Sequence, residues 1–493
     1  MNTSWQRKPG DRVFRPRRIK RFQLRRVLGI PALFSAGYGN VGSSIYYALG
    51  IVALVALGAT PIALGIAGII YIFNALTYAE GSAMLPEGGG SASFARKGFN
   101  ELGGFISGWA LMLSYITTIA VSAITIPPYL SYFWPALKEP VAGTAMAMGV
   151  ILFLMLLNVI GVRESSGINI VFIVIDIATQ LTLIVSGVVL ILWVHPDVLW
   201  QNMFGPGNWP STSNFIFSIA LAALAFTGVE TVAQMAQEAR RPAKQVPKAY
   251  ILMIVTVLVL FSGISLVALA AMTPQVLGDP VHGWAKDPVA GIAANLPSDT
   301  LRAIFEPLVA ILAATILLTA TNAGLIGISR LAYNMSSYQH LPVVLGKVHS
   351  RFRTPHIAIV LFCLVALLLM TPGFFFNRFF VVLGALYAFG SLLSFAVAHA
   401  AVLALRVRHP ELPRPFKLRL NVKFKGYDLP LTAILGLVST STVWVVLTVG
   451  HPFTRTAGLV WMIAGLLIYY IYRRWKHLSL TGNKQQEKDA KNP

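Results

Sequence analysis

The chain has 493 residues, of which 56% are hydrophobic and only 12% charged, with a formal net charge of +21. Soluble domains carry about 25% charged residues, so this composition excludes an ordinary soluble globular protein and predicts one polytopic membrane domain with short polar ends. Such positive charge would suit nucleic acid, but the basic residues gather in alternate loops and both tails, so the expected partner is the lipid bilayer and not nucleic acid.

Residues 1–27 form a basic tail with Arg7, Lys8, Arg12, Arg15, Arg17, Arg18, Lys20, Arg21, Arg25 and Arg26 against Asp11 alone. Phe14 and Phe22 are interleaved, which suits an anionic leaflet, and the run reads as an orientation signal. No cleavable signal peptide is expected, because the first apolar segment is too long for an h-region. Apolar runs then predict twelve spans, near 28–57, 61–85, 101–130, 141–162, 167–194, 213–239, 247–272, 303–336, 355–371, 378–405, 429–449 and 455–473. The exits of the even-numbered spans carry the basic residues: Arg96 and Lys97; Arg163; Arg240, Arg241, Lys244 and Lys248; Lys347, Arg351 and Arg353; Arg406 to Lys425; and Arg473, Arg474 and Lys476. The opposite loops are short or mixed in charge. Both termini are therefore predicted to be cytoplasmic in a multi-pass protein of the cell (inner or plasma) membrane.

Span 1 contains Gly37-Tyr-Gly-Asn-Val-Gly-Ser-Ser-Ile-Tyr46, and span 6 contains Phe226-Thr-Gly-Val-Glu230. Gly surrenders the most backbone entropy in a helix and Ser competes for backbone bonds. In hydrocarbon, a freed N–H or C=O needs a protein, water or ligand partner. Two interrupted spans in corresponding halves point to a secondary transporter's binding site. They lie five helices apart, and five is odd, so the second group of five enters from the opposite side. The predicted fold is an all-α membrane protein of twelve transmembrane helices: a five-plus-five inverted repeat with broken helices 1 and 6, plus two extra helices. Its parts are the tail 1–27, the core 28–405, a basic loop 406–428, helices 11 and 12 at 429–473, and a disordered tail 474–493. The Pro-, Gly- and Asp-rich stretch 273–302 is expected to hold a short surface helix capping the entrance.

Backbone donors at Gly42, Ser43 and Ser44 are expected to face an anion. Carbonyls near Val41, Leu224 and Thr227, beside Gly228, are expected to take an ammonium group. An α-amino acid satisfies both sets. A small-residue packing face is the competing reading.

These residues carry a resemblance. The segment Gly39-Asn-Val-Gly-Ser-Ser-Ile-Tyr46 resembles the helix 1 signature of the amino acid–polyamine–organocation superfamily, usually Gly-x-x-x-Gly-Ser-Gly-Ile-Phe. Tyr78-Ala-Glu80, Pro86-Glu-Gly-Gly-Gly90, Gly108-Trp109, Gly161-Val-Arg-Glu-Ser165, Phe226-Thr-Gly-Val-Glu230, Glu238, Pro242 to Lys248, Ser329-Arg330, Tyr333, Met335 and Leu341-Pro342 follow in the family's order. The resemblance implies amino acid or amine transport by alternating access, with substrate held at the two breaks. Three positions depart from the pattern: Ser44 replaces a usual Gly, Leu224 an aromatic in many members, and Asp176 a lysine of some proton-coupled members.

Asp176 stands out on physical grounds as well, since a charge at mid-span costs at least about 3 kcal/mol on insertion scales. Asn169, Asp176 and Gln180 share one helical face. Asp176 is the candidate site for a coupling proton, with sodium as second choice; a carboxyl that only pins helix 5 is the competing reading. Glu230 is either a second proton site or a cap on the break. Glu80 reads as a packing or gate contact. Thr315, Thr319 and Asn322 form one polar stripe, and Tyr387, Ser391 and Ser394 another. Ser114, Thr118, Phe226 and Asn322 are candidates for selectivity, and the shortage of acidic partners favours neutral amino acids. Only His399 among the histidines lies inside a span, Cys363 is the single cysteine, and no P-loop is present, so no metal or cofactor is expected. No nucleophile or paired acids converge at one membrane face, so an intramembrane enzyme is not expected. A polyamine, organic-cation or inorganic-cation carrier, an amino acid exchanger, and a transporter-like sensor remain as alternatives.

Overall fold

The computed structural model describes residues 26–161, 166–192, 196–376, 378–417, 420–424 and 426–482. The basic tail as far as Arg25, the residues Arg163, Glu164 and Ser165, His195, Arg419, Lys425 and the polar end from 483 lie outside the described residues.

Apolar periodicity becomes helix almost throughout. In chain order the helices are α1 (Ile30–Val41), α2 (Ile45–Ala56), α3 (Thr60–Met84), α4 (Ser91–Gly98), α5 (Glu101–Leu130), α6 (Pro140–Ile160), α7 (Ser166–Gly187), α8 (Pro196–Phe204) and α9 (Thr212–Ala222). They continue as α10 (Glu230–Met235), α11 (Pro242–Ala271), α12 (Pro274–Gly278), α13 (Pro288–Ala294), α14 (Asp299–Ser337), α15 (His356–Met370) and α16 (Phe379–Arg408). A hairpin, β1 (Asn421–Phe424) and β2 (Tyr427–Pro430), precedes α17 (Leu431–Gly450) and α18 (Pro452–Trp475). Helix starts carry their own chemistry. Asn100 accepts from Gly103 N at 2.9 Å ahead of α5, and Ser211 and Ser298 cap α9 and α14. Proline opens α6, α11 and α18, where its missing N–H has no partner to lose.

Eleven helical stretches among the described residues are long and apolar enough to cross a membrane. The first, Ile30–Met84, has 55 residues, far more than the ~20 one crossing needs. Leu57 (φ 48, ψ −128) turns it, and α2 packs back on α3. The α1–α2 arm is thus predicted span 1 and α3 is span 2.

Helix α5 forms the axis, packed against α14 and α16 along small-residue seams. A side chain at Gly390 would lie 2.7 Å from Ala110 O, and one at Gly327 2.6 Å from the Tyr115 ring, so glycine sets these approach distances. Helices α6, α7, α17 and α18 turn Phe153, Leu156, Val174, Val438 and Ile463 outward, as a lipid-facing layer requires.

The two ends of the bundle differ. At the end bearing Leu28, the chain ahead of α1 is stitched to the chain after α10: Leu28 N donates to Glu238 O at 3.0 Å, and Arg240 N to Leu28 O at 3.0 Å. Glu80 meets Arg406 in a buried two-pronged pair at 2.7 and 2.8 Å, and Arg330 meets Glu238 at 2.9 Å. Arg406 is therefore part of α16 and not of a free loop. The predicted tail 474–493 also needs correction at its start. Helix α18 runs to Trp475, and the following turn folds back so that Tyr469 donates to Leu480 O at 2.6 Å. At the opposite end, α12 and α13 occupy the stretch expected to hold one short helix, and they sit on α2. A side chain at Gly278 would meet Leu54 N at 2.8 Å.

Candidate binding site at the two interrupted helices

The two Gly-bearing stretches fold differently. In span 1 the backbone stays right-handed helical from Val41 (φ −69, ψ −47) through Gly42 (φ −62, ψ −33) to Ser44 (φ −65, ψ −26), tightening to a 3-10 turn at Gly42–Ser44. The Gly42 N–H, expected to be free, donates to Tyr38 O. The expected unwinding of helix 1 is thus corrected to a constriction. Ser43 Oγ donates to Asn40 O at 2.8 Å and Ser44 Oγ pairs with Tyr47 Oη at 3.0 Å, yet the backbone stays helical through the turn. Gly42 is small because the Tyr38 ring lies over it; a Cβ there would be 2.6 Å from Tyr38 Cζ.

Span 6 is broken. After α9 a 3-10 turn, Ala223–Phe226, leads to Thr227 in extended conformation (φ −80, ψ 161) and to Gly228 at φ 99, a conformation that residues with a Cβ rarely adopt. Glu230 then opens α10, and its Oε2 accepts from Gly228 N at 3.1 Å. The Leu224 carbonyl, expected to be open, accepts from Thr227 Oγ1 at 2.7 Å and Thr227 N at 3.3 Å. Among the described residues no donor reaches the Thr227 carbonyl, and Glu230 Oε1 is buried without a hydrogen-bond partner. The two 3-10 turns touch each other. Asn40 seals the join: its Nδ2 donates to Thr231 Oγ1 at 2.8 Å, and its Cγ lies 2.7 Å from where a Gly228 Cβ would stand.

The remaining predicted residues divide. Ser114 and Thr118 lie on α5 beside this junction, with Ser114 Oγ paired to Ser391 Oγ at 2.7 Å and Thr118 Oγ1 donating to Ser114 O at 2.8 Å. Leu224 abuts Gly384 of α16. Phe226 points elsewhere, its ring between Tyr71 and Phe261 with both centroids at 5.3 Å. Asn322 Oδ1 accepts from Asn158 Nδ2 at 2.6 Å, tying α14 to α6.

Asp176 is buried against span 1. It accepts from Tyr38 Oη at 2.9 Å, from Gln180 Nε2 at 2.8 Å and, in a short bond, from Tyr46 Oη. Its two tyrosines stand on either side of the Gly42–Ser44 turn, so one carboxyl grips both arms. Asn169, predicted for the same face, is half-buried outside this set.

Glu230 and Tyr387 were expected as polar positions within spans, but their convergence with other tyrosines escaped sequence reasoning. Glu230 is the acidic neighbour of Tyr47, Tyr78, Tyr115, Tyr250 and Tyr387, hydroxyls brought together from five helices. The available signal was tyrosine in the interior of apolar spans, where phenylalanine would leave no hydroxyl to satisfy. Tyr78, Tyr115 and Tyr387 Oη are buried with no hydrogen-bond partner among the described residues.

Residues 28–472 match the family model described as amino acid permease. The branched-chain amino acid permease BcaP of Bacillus subtilis is 28% identical over 93% of this chain and 95% of its own length. The methylthioribose transporter of the same organism is 29% identical over 97% of this chain and 99% of its own. The human large neutral amino acids transporter small subunit 2 is 26% identical, over 84% and 73% respectively.

Proposed function

The chain belongs to the amino acid permease family, and on that premise we propose that it is a secondary active transporter of neutral amino acids working by alternating access. The observation that carries this reading is the broken joint at Thr227–Gly228, where the Thr227 carbonyl and Glu230 Oε1 have no partner among the described residues and Asn40 of span 1 packs on Gly228. The substrate's ammonium group binds these acceptors. Its carboxylate binds at Val41–Ser44 once this tightened turn opens, because the Gly42 N–H donates to Tyr38 O in the present conformation. Leu224, Ser114 and Thr118 line the side-chain space, while Phe226 and Asn322 act through packing.

In this proposal Asp176 takes up and releases the coupling proton. When it is ionised, three donors hold it against Tyr38 and Tyr46; when it is protonated, that grip weakens and the constriction gains freedom. Sodium is the second choice of coupling ion. The organic-cation alternative is less favoured because the carboxylate of Asp176 is already met by three protein donors. The basic end of the bundle, bearing Leu28, Arg330 and Arg406, faces the cytoplasm of a cell membrane.

A thermal-shift screen of the purified protein against the twenty L-amino acids and several amines, followed by uptake into liposomes with and without a pH gradient, tests the reading. Selective stabilisation by neutral amino acids and their concentrative uptake are expected. Uptake of amines alone, or of nothing, overturns it.

A further inference from the structure

At the end of the bundle opposite Leu28, the residues that close over α2 surround a cavity of about 280 Å³. That is just below the size range of pockets for drug-sized ligands, and so suits a small metabolite. The cavity lies between the end of α5, the α12–α13 cap and the start of α14. Tyr129, Trp284, Asp287, Lys138 and Glu306 are among its walls.

Asp287 is the chemically unusual member. It is only 4% exposed. Among the described residues no side-chain donor is hydrogen-bonded to its carboxylate, although a buried carboxylate normally recruits one. Lys138 and the adjacent Lys286 both act on it electrostatically, and the Lys138 ammonium sits 5.1 Å above the Trp284 ring. The cavity thus presents a buried carboxyl with no side-chain donor on it, an exposed positive group at its rim, and an apolar aromatic wall. A zwitterion with an apolar side chain matches all three.

We infer that this cavity is a second, distal binding site for an α-amino acid, with the ammonium group on Asp287, the carboxylate toward Lys138 and the side chain against Trp284 and Tyr129. The inference rests on the amino acid reading above for its ligand class. The distal site is wired to the first. Tyr129 Oη accepts from Val289 N at 3.4 Å and donates to Tyr46 O at 2.8 Å, and Tyr46 Oη in turn bonds Asp176. A ligand seated on Tyr129 therefore bears on the same arm of span 1 that Asp176 grips.

The test is binding stoichiometry on the purified full chain in nanodiscs, with the twenty radiolabelled L-amino acids as probes, alongside uptake into liposomes. Two equivalents are expected for the best binder, with one lost in Asp287→Asn and weakened at least about tenfold in Lys138→Gln. The exposed position of Lys138 makes the second variant safe against misfolding. A single equivalent that neither substitution alters, with uptake intact, overturns the distal site and leaves the permease reading standing. Absence of both binding and uptake for all twenty overturns that reading, and the distal site with it.

Discussion

Span 1 and span 6 carry similar signals and respond to them in opposite ways. Span 1 has Gly37, Gly39, Gly42, Ser43 and Ser44 within eight residues, yet it stays helical and merely tightens. Span 6 has one glycine at its interruption and comes apart. The difference lies in where competing polar groups go. In span 1 the serine hydroxyls turn back into their own helix or to Tyr47, and Asp176 braces the turn from outside through Tyr38 and Tyr46. Span 6 makes the same i−3 hydroxyl bond, Thr227 Oγ1 to Leu224 O, but there Thr227 is extended, Gly228 takes a positive φ and the Glu230 carboxylate accepts from the freed Gly228 N–H. The helix breaks where an acid receives the freed amide, and small residues alone do not suffice.

The sharpest way to break this contrast is Gly228→Ala. The substitution meets both a backbone strain of about 1–3 kcal/mol and overpacking against Asn40 of about 1–3 kcal/mol. Uptake should fall at least about tenfold, with a lower melting temperature by circular dichroism; near-normal uptake would show that the joint does not need its present shape. Next in size is Asp176→Asn, which removes the charge gripping Tyr38 and Tyr46. Acceleration of uptake by an inward proton gradient should disappear while substrate-induced thermal stabilisation persists. Unchanged gradient dependence would leave Asp176 a pin and nothing more.

Gly42→Ala should fall between these and the mildest change. Its Cβ meets the Tyr38 ring, which must shift at a cost of about 1–3 kcal/mol, and a severalfold rise in KM measured by uptake is the expected result. The pH response of stability separates the two interruptions from the rest of the fold. Burial pushes the Asp287 carboxyl up to about 7, with Lys138 and Lys286 opposing and Glu306 also lining the cavity. A carboxyl raised in the fold is protonated there but ionised in the unfolded chain between about pH 4 and 7. Its contribution therefore diminishes as pH rises across that window. Thermal melts from pH 5 to 8 should show this decline in wild type and in Asp176→Asn, but not in Asp287→Asn. Smallest of all, Ser44→Gly loses one hydroxyl contact, worth about 1 kcal/mol, and should change KM less than about threefold.

Much of the architecture was legible because hydropathy and loop charge act over whole segments. Apolar runs near 20 residues located the helices, and the reversal at Leu57 fell where the sequence separates spans 1 and 2. The joint in span 6 was legible from Gly228 beside Glu230, since glycine and a helix-starting acid act locally. Unwinding of span 1 was expected because Gly42, Ser43 and Ser44 were weighed by propensity, while the tie to Asp176 spans 138 residues of sequence from Tyr38 and is invisible to propensity. For the same reason Asp176 was conspicuous but its tyrosine partners were not. The tyrosines that neighbour Glu230 come from α2, α3, α5, α11 and α16, and only the folded bundle brings those helices to one place.

The grip of one carboxyl on Tyr38 and Tyr46 has a mechanical corollary. Because the same carboxyl holds the chain above and below its narrowest turn, α7 is tied to both α1 and α2 at one point. Span 6 has a swivel instead, at Thr227 and Gly228. In the alternating-access cycle proposed above, that two-residue segment is the expected pivot, and a crosslink across it should arrest uptake while leaving the fold intact.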